Sequence, residues 1–489
     1  MSSTNIVILS AIIIYLIGMV VIGALLSNKN KNSDDFYLGG RKLGPLVTAM
    51  SAEASWTAIG LAIGTYINWL LVAKKLRIYT NRLNTFTLPD FFSKRFGDNA
   101  HIISTIAAVI IIVFFIPYTA SGFAACGKLF ASLFGMEYTT AMIMSAIVII
   151  VYCTLGGFLA ASTTDFIQSI VMTIALFVVV GFGEGLVHGF GNVFSNVASL
   201  DGYLDLFRGH SVAAGQATSY GALPVASTLA WGLGYFGMPH ILLRFMAIED
   251  ENKLKLSRRV ASVWVVISMA VAVLIGVVGY SLMQKGVVPT YESATAAETI
   301  IVDISKYLIK FGSIPAFTAG IILAGILAST MSTADSQLLA AASSVSQNIV
   351  QGTFKIKLNE KKSLLLARIS VVVISIIAIF LALDPDSSVF DIVSFAWAGF
   401  GAAFGPVVLF GLFWKRTTKW GALAGMVSGG AVVFIWKFLV RASFPGTWLD
   451  FYELLPAFII ACIAILVVSL LTKAPEKEIT DIFDEIKAK

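Results

Sequence analysis

Charged side chains are scarce in this sequence: they make up 13% of its 489 residues, while hydrophobic residues make up 57%. Soluble domains carry about 25% charged residues, so the composition excludes a water-soluble globular protein. Three cysteines and four scattered histidines provide neither a disulfide framework nor a metal cluster. The composition therefore predicts an all-α polytopic membrane protein embedded in a lipid bilayer.

Long apolar runs divide the chain into twelve candidate membrane spans, because about 20 apolar residues cross a bilayer as a helix. They lie near residues 6–26, 46–72, 102–123, 140–159, 166–187, 220–243, 260–282, 314–345, 364–383, 388–413, 420–441 and 454–472. The connectors between them are short and mostly polar. One transmembrane domain is therefore predicted over residues 1–475, followed by a short cytoplasmic tail at 476–489.

Lysine and arginine concentrate in alternate connectors. The basic connectors are 74–101, 244–259, 346–363 and 414–419. Because basic residues stay on the cytoplasmic side of a membrane, these loops and the C-terminus are predicted to be cytoplasmic. They also account for the net charge of +6, so no nucleic-acid-binding surface is expected.

The alternation of charge fails near the N-terminus. The loop 27–45 is also basic, yet only the apolar stretch Leu46–Val72 separates it from the basic loop 74–101. Two cytoplasmic loops need an even number of crossings between them, and 27 residues are too few for two spans of about 20. Either one basic loop lies outside, or a helix is missing here; the missing helix is favoured.

Four hydroxyl residues share one helical face within the span 314–345. Ser329, Ser332, Thr333 and Ser336 are spaced i, i+3, i+4 and i+7. Their oxygens suit a hard cation such as Na⁺, and the adjoining Asp335 adds a carboxylate inside the membrane, which favours a functional role. The alternative is a small-residue face for helix packing.

Two spans contain glycine and proline at positions that disturb a helix. In Trp231–His240, three glycines and Pro239 interrupt the apolar run, which predicts a broken helix that carries a substrate site. The alternative is a simple proline kink. In Gly399–Pro406, the same residue types indicate either a gate or ordinary helix packing.

Asp165 follows Ser162, Thr163 and Thr164 at the cytoplasmic end of a span. From these residues alone a helix N-cap is favoured, with a second cation site as the alternative.

The chain resembles the solute:sodium symporter family, and within it the bacterial sodium/proline symporters, over about residues 6–475. The matching stretches are Phe36–Pro45, Leu88–Phe92, Tyr118–Gly122, Gly156–Ala160, Trp231–Arg244, Met331–Thr333 and Phe395–Pro406. The resemblance implies thirteen helices, ten of them in two inverted five-helix repeats, where twelve spans are visible here. It implies a bacterial cytoplasmic membrane, Na⁺ as the coupling ion and no other cofactor.

Site residues are implied by the resemblance rather than by spacing. Na⁺ is expected at side-chain oxygens of Ser332 and Thr333, with the backbone of Ser329 and of Ala54 beside them. The solute is expected near Tyr118, Trp231, Tyr235 and Pro239. Asp165 matches a family aspartate linked to sodium, which raises the cation interpretation above the N-cap, and Asp335 and Ser336 remain sodium-site candidates.

One departure from the family lies at the place where the alternation of basic loops fails. The family's broken first core helix follows a Ser-Ala-x-Ala-Ser run, but here Ser51–Ser55 leads directly into Trp56–Gly60, which matches the next helix. About one span is therefore absent, and of that helix only Ala54 remains for the sodium site. A family tryptophan is also replaced by Thr163.

The expected function is sodium-coupled import of L-proline by alternating access. The alternatives are a sodium symporter for another amino acid, a sugar or a carboxylate, and a transport-inactive variant or sensor, because the first core helix is incomplete. A membrane enzyme is not expected, since the four histidines have no carboxylate at ligand spacing.

Overall fold

The computed structural model describes residues 3–27, 55–201, 205, 207–211, 216–219, 221–291 and 294–487. The helices, numbered in chain order, are α1 (Ser3–Ser27), α2 (Ser55–Ile67), α3 (Ala73–Arg82), α4 (Leu88–Arg95), α5 (Ile102–Phe134), α6 (Tyr138–Leu186), α7 (Phe190–Ala198), α8 (Ala222–Leu229), α9 (Pro239–Ala247), α10 (Leu254–Gln284), α11 (Ala294–Ala297), α12 (Ile300–Leu308), α13 (Ser313–Ser343), α14 (Glu360–Leu381), α15 (Val389–Phe413), α16 (Lys419–Ile435), α17 (Leu454–Leu471) and α18 (Lys477–Lys487).

Shorter elements connect or extend these helices. Wide π-helical turns span Asn68–Val72, Ser344–Thr353 and Trp436–Arg441, and 3₁₀ turns span Ala230–Phe236, Glu251–Lys253 and Ile309–Phe311. The strands β1 (Arg208–Ser211) and β2 (Gln216–Ser219) form an antiparallel hairpin in which Arg208 pairs with Ser219.

Ten helices in the described ranges are long and apolar enough to cross a membrane, and the shorter apolar run Ile6–Ile22 lies within α1. The expected helical membrane architecture is therefore confirmed, with the short β-hairpin as an exception in the described residues, while the number of spans stays a prediction. One boundary differs clearly from the expectation. Residues 46–54 of the span predicted at 46–72 lie outside the described residues, and the rest of it belongs to the helix Trp56–Arg82. The predicted loop 74–101 therefore begins as helix, and it also contains α4.

The interruption predicted within Trp231–His240 is present. Helix α8 ends at Leu229, a 3₁₀ turn covers Ala230–Phe236, and Met238 is extended before α9 begins at Pro239. Proline suits this first position because it has no N–H and its φ is already helical. We call Ala222–Ala247 the broken segment. Gly399–Pro406, in contrast, lies inside the unbroken helix α15.

Glycine lets α2 approach the broken segment at backbone distance. A Cβ on Gly60 would lie 2.6 Å from the Leu229 carbonyl oxygen, and one on Gly64 would overlap the backbone of Gly232. On the other side of the broken segment, a Cβ on Gly401 would lie 2.8 Å from the Cα of Gly234. The broken segment is thus held between α2 and α15, and Gly401 belongs to this packing.

Candidate functional site

A cavity of about 300 Å³ opens between α2, α5, α6, the broken segment, α10, α13 and α15. Hydroxyl, aromatic and apolar side chains form its wall, and no charged side chain lines it among the described residues. Lining residues include Thr57, Tyr118, Ser121, Trp231, Tyr235, His240, Ile241, Trp264, Ser268, Ser329, Thr330, Thr333, Gln337, Phe390 and Trp397. A neutral wall with scattered polar groups suits a small polar solute.

Three residues predicted to contact the solute lie together in this wall. Trp231 stacks on Tyr452 with ring centroids 4.9 Å apart, and its carbonyl accepts a 2.8 Å hydrogen bond from the Trp397 indole N–H. Tyr235 meets the Trp397 ring edge-on at 5.1 Å. The broken segment is therefore fixed by aromatic contacts, and Trp231, Tyr235 and Tyr118 face one space. Pro239 begins α9 directly beside the lining residue His240.

Part of the hydroxyl face of α13 borders the same cavity. The Ser332 Oγ and Thr333 Oγ1 hydroxyls donate to the Ser329 carbonyl, at 3.1 and 3.0 Å. Ser329 is exposed, Ser332 and Thr333 are half-buried, and Ser329 and Thr333 line the cavity. Three oxygens on one exposed face can bind a cation only with ligands from a second element. The expected partner Ala54 lies outside the described residues.

The remaining sodium-site candidates form a separate buried cluster rather than part of the cavity wall. Asp165 pairs with the Arg244 guanidinium, which also donates to Ser336 Oγ at 2.9 Å. Asp335 accepts a 2.6 Å hydrogen bond from the Tyr152 hydroxyl. A cation at Asp165 would therefore compete with the positive charge of Arg244.

Two expectations for this cluster need correction. Helix α6 is interrupted at Gly157, where φ is 60° and ψ is −167°. Asp165 is not an N-cap, because the second part of α6, Ala161–Leu186, begins before it and continues past it. Arg244, counted among the cytoplasmic loop residues, instead belongs to α9 and is buried in the ion pair. Its pairing with Asp165 offsets the cost of removing both charges from water.

Sequence reasoning missed several polar residues at the cavity. Gln337 lines it four residues after Thr333, on the same face of α13, so helical spacing could have identified it. Asn68 is fully buried, and its side-chain amide donates to the Tyr235 carbonyl at 2.9 Å, which supports the broken segment. No local pattern indicates that contact, since the two residues are 167 positions apart.

Comparisons with known proteins agree with this architecture. The chain is 40% identical over 488 residues to the osmoregulated proline transporter OpuE of Bacillus subtilis, covering 95% of this chain and 94% of that protein. It is 41% identical over 502 aligned positions to the sodium/proline symporter of Haemophilus influenzae, covering 96% of each.

The fold is shared with a solved transporter. A substrate-bound, outward-open Na⁺-coupled sialic acid symporter superimposes with a TM-score of 0.75 at 16% identity, covering 96% of this chain and 99% of that one. This likeness confirms the expected sodium-symporter fold. The model of the Sodium:solute symporter family matches residues 52–429. The chain therefore belongs to the sodium:solute symporter family and is a multi-span membrane transporter rather than an enzyme.

Proposed function

We propose that this protein imports L-proline together with Na⁺ by alternating access. The observation that carries the proposal is one cavity bordered both by Tyr118, Trp231 and Tyr235 and by Ser329 and Thr333. Relatives at 40–41% identity named as proline transporters support proline as the solute. In this proposal Na⁺ is the coupling ion and proline is the cargo.

The chemistry of the cavity fits a small zwitterion. The faces of Trp231 and Tyr235 can attract the solute's ammonium group by cation–π interaction. Na⁺ would be held by the Ser332 and Thr333 hydroxyls with the Ser329 and Ala54 carbonyls, as the family resemblance implies. Any coupling is reciprocal: if bound Na⁺ tightens proline binding, bound proline tightens Na⁺ binding by the same factor.

Asp165, Asp335 and Ser336 are proposed as a second cation-binding group on the cytoplasmic side. Asp165 and Asp335 each have one buried oxygen with no hydrogen-bond partner among the described residues. A cation that displaced Arg244 from Asp165 could use these oxygens.

The expected absence of about one span from the first core helix bears on the level of activity. The alignment with the H. influenzae symporter has 502 positions, 13 more than the 489 residues here, so at least that many of its positions have no counterpart in this chain. We expect poor or no transport unless Glu53 or a rearranged 46–72 segment replaces the missing ligands. A transport-inactive variant or a sensor is therefore the second candidate function.

The decisive experiment is uptake of labelled proline, driven by a Na⁺ gradient, in cells without their own proline carriers. The chain is tested beside a version with a family-type broken helix inserted after Ser55. Uptake by the restored version alone supports the symporter assignment and an inactive or incomplete native form. Uptake by both means that the missing helix is dispensable and the proposed sodium site is wrong. If neither version takes up proline although the protein is present in the membrane, another solute or a non-transport role is favoured.

A further inference from the structure

The C-terminal helix α18 covers a group of three cations, Arg82, Arg95 and Lys415, which we call the basic surface. Three consecutive residues of α18 each meet a different one of these cations: Phe483 meets Arg95, Asp484 pairs with Lys415, and Glu485 pairs with Arg82. Carboxylates of α18 therefore neutralise two of the three cations. Arg95 instead faces an aromatic ring, and no carboxylate pairs with it among the described residues.

Arg95 is buried although its charge is not neutralised. It is 1% exposed, and its Nε donates to the Gly411 carbonyl at 2.7 Å. Both of its Nη atoms are buried without a hydrogen-bond partner among the described residues. A guanidinium group binds a carboxylate or a phosphate through parallel N–H bonds, and the contact with the Phe483 ring replaces these bonds only in part. Because an unpaired buried charge is costly, Arg95 opposes the binding of α18.

The binding of α18 is therefore a balance of two opposed contributions. Apolar contacts favour it: Phe483 and Ile486 are buried, and Ile479 packs on Gly97, where a Cβ would lie 2.3 Å from the Ile479 Cδ1 atom. The unpaired charge of Arg95 acts against it. A ligand that can reach the basic surface only after α18 leaves would shift this balance towards release.

The basic surface lies at the ends of two membrane spans. Arg82 is the last residue of its span. Gly411, which accepts the hydrogen bond from Arg95, lies in the last turn of α15, and Lys415 follows two residues after that helix ends. Lipid headgroups lie at this depth. The loop charges predict that this side is cytoplasmic, and the cytoplasmic leaflet carries anionic lipids that attract lysine and arginine.

We propose that Arg82, Arg95 and Lys415 bind phosphate groups of anionic phospholipids in the cytoplasmic leaflet, and that α18 is an internal competitor that covers this site. The carboxylates of Asp484 and Glu485 take the places of lipid phosphates on two of the cations. Only a lipid gives Arg95 an anionic partner as well. This inference does not depend on which solute the chain transports.

The test measures release of α18 in the full-length chain in lipid nanodiscs, where both faces of the membrane are accessible. One set of discs contains phosphatidylcholine alone, and a second contains equal parts of phosphatidylcholine and phosphatidylglycerol. A third sample is the phosphatidylcholine disc with inorganic phosphate in the buffer, which distinguishes a soluble phosphate from a lipid headgroup. The readout is the rate of limited proteolysis between residues 472 and 477.

Three variants accompany the wild type. Arg95→Met removes the charge but keeps a long side chain, and Arg95→Lys keeps the charge. Arg259→Met is the matched control, because Arg259 is an exposed arginine of another predicted cytoplasmic loop, 244–259.

Phosphatidylglycerol should raise the cleavage rate about fivefold in the wild type, in Arg95→Lys and in the control, as expected for lipid attraction at one basic residue. Inorganic phosphate should leave the rate unchanged. Arg95→Met should be cleaved more slowly than the wild type in phosphatidylcholine, because α18 then buries no charge, and phosphatidylglycerol should have little effect on it. If Arg95 merely supported α18, its loss would speed cleavage instead.

A second measurement leaves the cations intact. Phe483→Ala removes the ring that covers Arg95, so this variant should retain more phosphatidylglycerol than the wild type after extraction from mixed-lipid discs. Its retention of phosphatidylcholine should not change. Melting temperatures identify any variant that fails to fold, and this measurement decides the question if Arg95→Met is one of them.

Several outcomes would overturn the proposal. Phosphatidylglycerol that leaves wild-type cleavage unchanged, or that speeds wild-type and Arg95→Met cleavage equally, means that Arg95 binds no lipid. Faster cleavage of Arg95→Met in phosphatidylcholine means that Arg95 holds α18 rather than opposing it. Release by inorganic phosphate makes a soluble anion the ligand. Equal retention of phosphatidylglycerol by Phe483→Ala and the wild type means that α18 covers no lipid site.

Discussion

Ser332 and Thr333 both donate their hydroxyl hydrogens to the Ser329 carbonyl, so their oxygen lone pairs are free to bind a cation. We expect Ser332→Ala or Thr333→Ala to raise the Na⁺ concentration for half-maximal uptake about tenfold, equivalent to ~1.4 kcal/mol. The maximal rate should change less, because the pathway is intact. The measurement is initial uptake rate against Na⁺ concentration, in whichever version of the chain transports.

Ser343→Ala is the matched control for these variants. Its hydroxyl donates to the Ala340 carbonyl on the same helix at 2.8 Å, so it has the same local bond outside the cavity. An unchanged Na⁺ dependence in both Ser332→Ala and Thr333→Ala would remove these residues from the sodium site.

Arg244→Ala should destabilise the protein strongly. It leaves the buried Asp165 carboxylate without its partner, and breaking a buried pair typically costs 3–5 kcal/mol. Lys253→Ala breaks the exposed pair with Glu249, which is worth about 0–1 kcal/mol. Thermal unfolding of both variants provides the comparison. Arg244→Ala with Asp165→Asn should recover part of the loss, and equal effects of the two single variants would contradict this role for the buried pair.

The sequence alone predicted part of the candidate sodium site. The Ser329, Ser332 and Thr333 face followed from helical spacing, because side chains three and four apart must share a face. The pairing of Asp165 with Arg244 did not follow, since it joins residues 79 positions apart on helices whose packing no local pattern specifies. Gln337 could have been found by extending the same face by one turn.

At the scale of elements, the C-terminal helix α18 is held mainly by apolar contacts, with Phe483 and Ile486 buried. Phe483 is 6% exposed and lies 5.2 Å below the Arg95 guanidinium, whereas the Arg82–Glu485 pair is solvent-exposed. Burial of a phenylalanine is worth about 1.5–3 kcal/mol, and an exposed ion pair is worth about 0–1 kcal/mol. We therefore expect Phe483→Ala to release α18 and Glu485→Gln to leave it bound.

Limited proteolysis between residues 472 and 477 measures this release. Faster cleavage in Phe483→Ala than in Glu485→Gln is expected at low and at high salt. If cleavage instead follows salt concentration in the wild type, the ion pairs hold the helix and the apolar contact is secondary.

The start of α6 should respond to acid through Glu137. Its carboxylate accepts hydrogen bonds from the Thr140 hydroxyl and from the Thr140 and Thr139 amides, which lowers its pKa from 4.5 to about 2. Because the pKa is lower in the folded state, the cap stabilises the helix fully above about pH 4.5 and loses this effect as pH falls towards 2. Hydrogen exchange of the Thr139 and Thr140 amides should rise over that range in the wild type, after correction for intrinsic exchange rates. Glu137→Gln should remove the dependence.

Glycine and proline made the broken segment the most predictable element. Pro239 has no N–H to donate to a helical carbonyl. Gly232 and Gly234 have no side chains to block the approach of α2 and Trp397. The end of the span Trp56–Arg82 was less predictable. Its final turns are basic and were therefore predicted to be a loop. Arg77 in these turns is buried and donates to the Ile248 carbonyl at 2.7 Å, a tertiary contact that no local sequence pattern indicates.

For the whole molecule, the absence of one span, as predicted from the sequence, would have a consequence for topology. Between the basic loops 27–45 and 74–101 the structure describes one helix long enough to cross a membrane, Trp56–Arg82. One crossing places the two loops on opposite sides. Since the later loops alternate consistently with a cytoplasmic 74–101, we expect the loop 27–45 to be forced outside, against its positive charge.

Labelling of single cysteines tests this expectation. In a chain with Cys126, Cys153 and Cys462 replaced by serine, Lys29→Cys should react with a membrane-impermeant maleimide added to intact cells, and Lys94→Cys should not. Insertion of the family-type helix after Ser55 adds one crossing, so Lys29→Cys should then become protected. Protection of Lys29→Cys in both versions would mean that a rearranged segment beginning at residue 46 already makes two crossings before the loop that contains Lys94. The first core helix would then be rearranged rather than missing, and the native chain should transport.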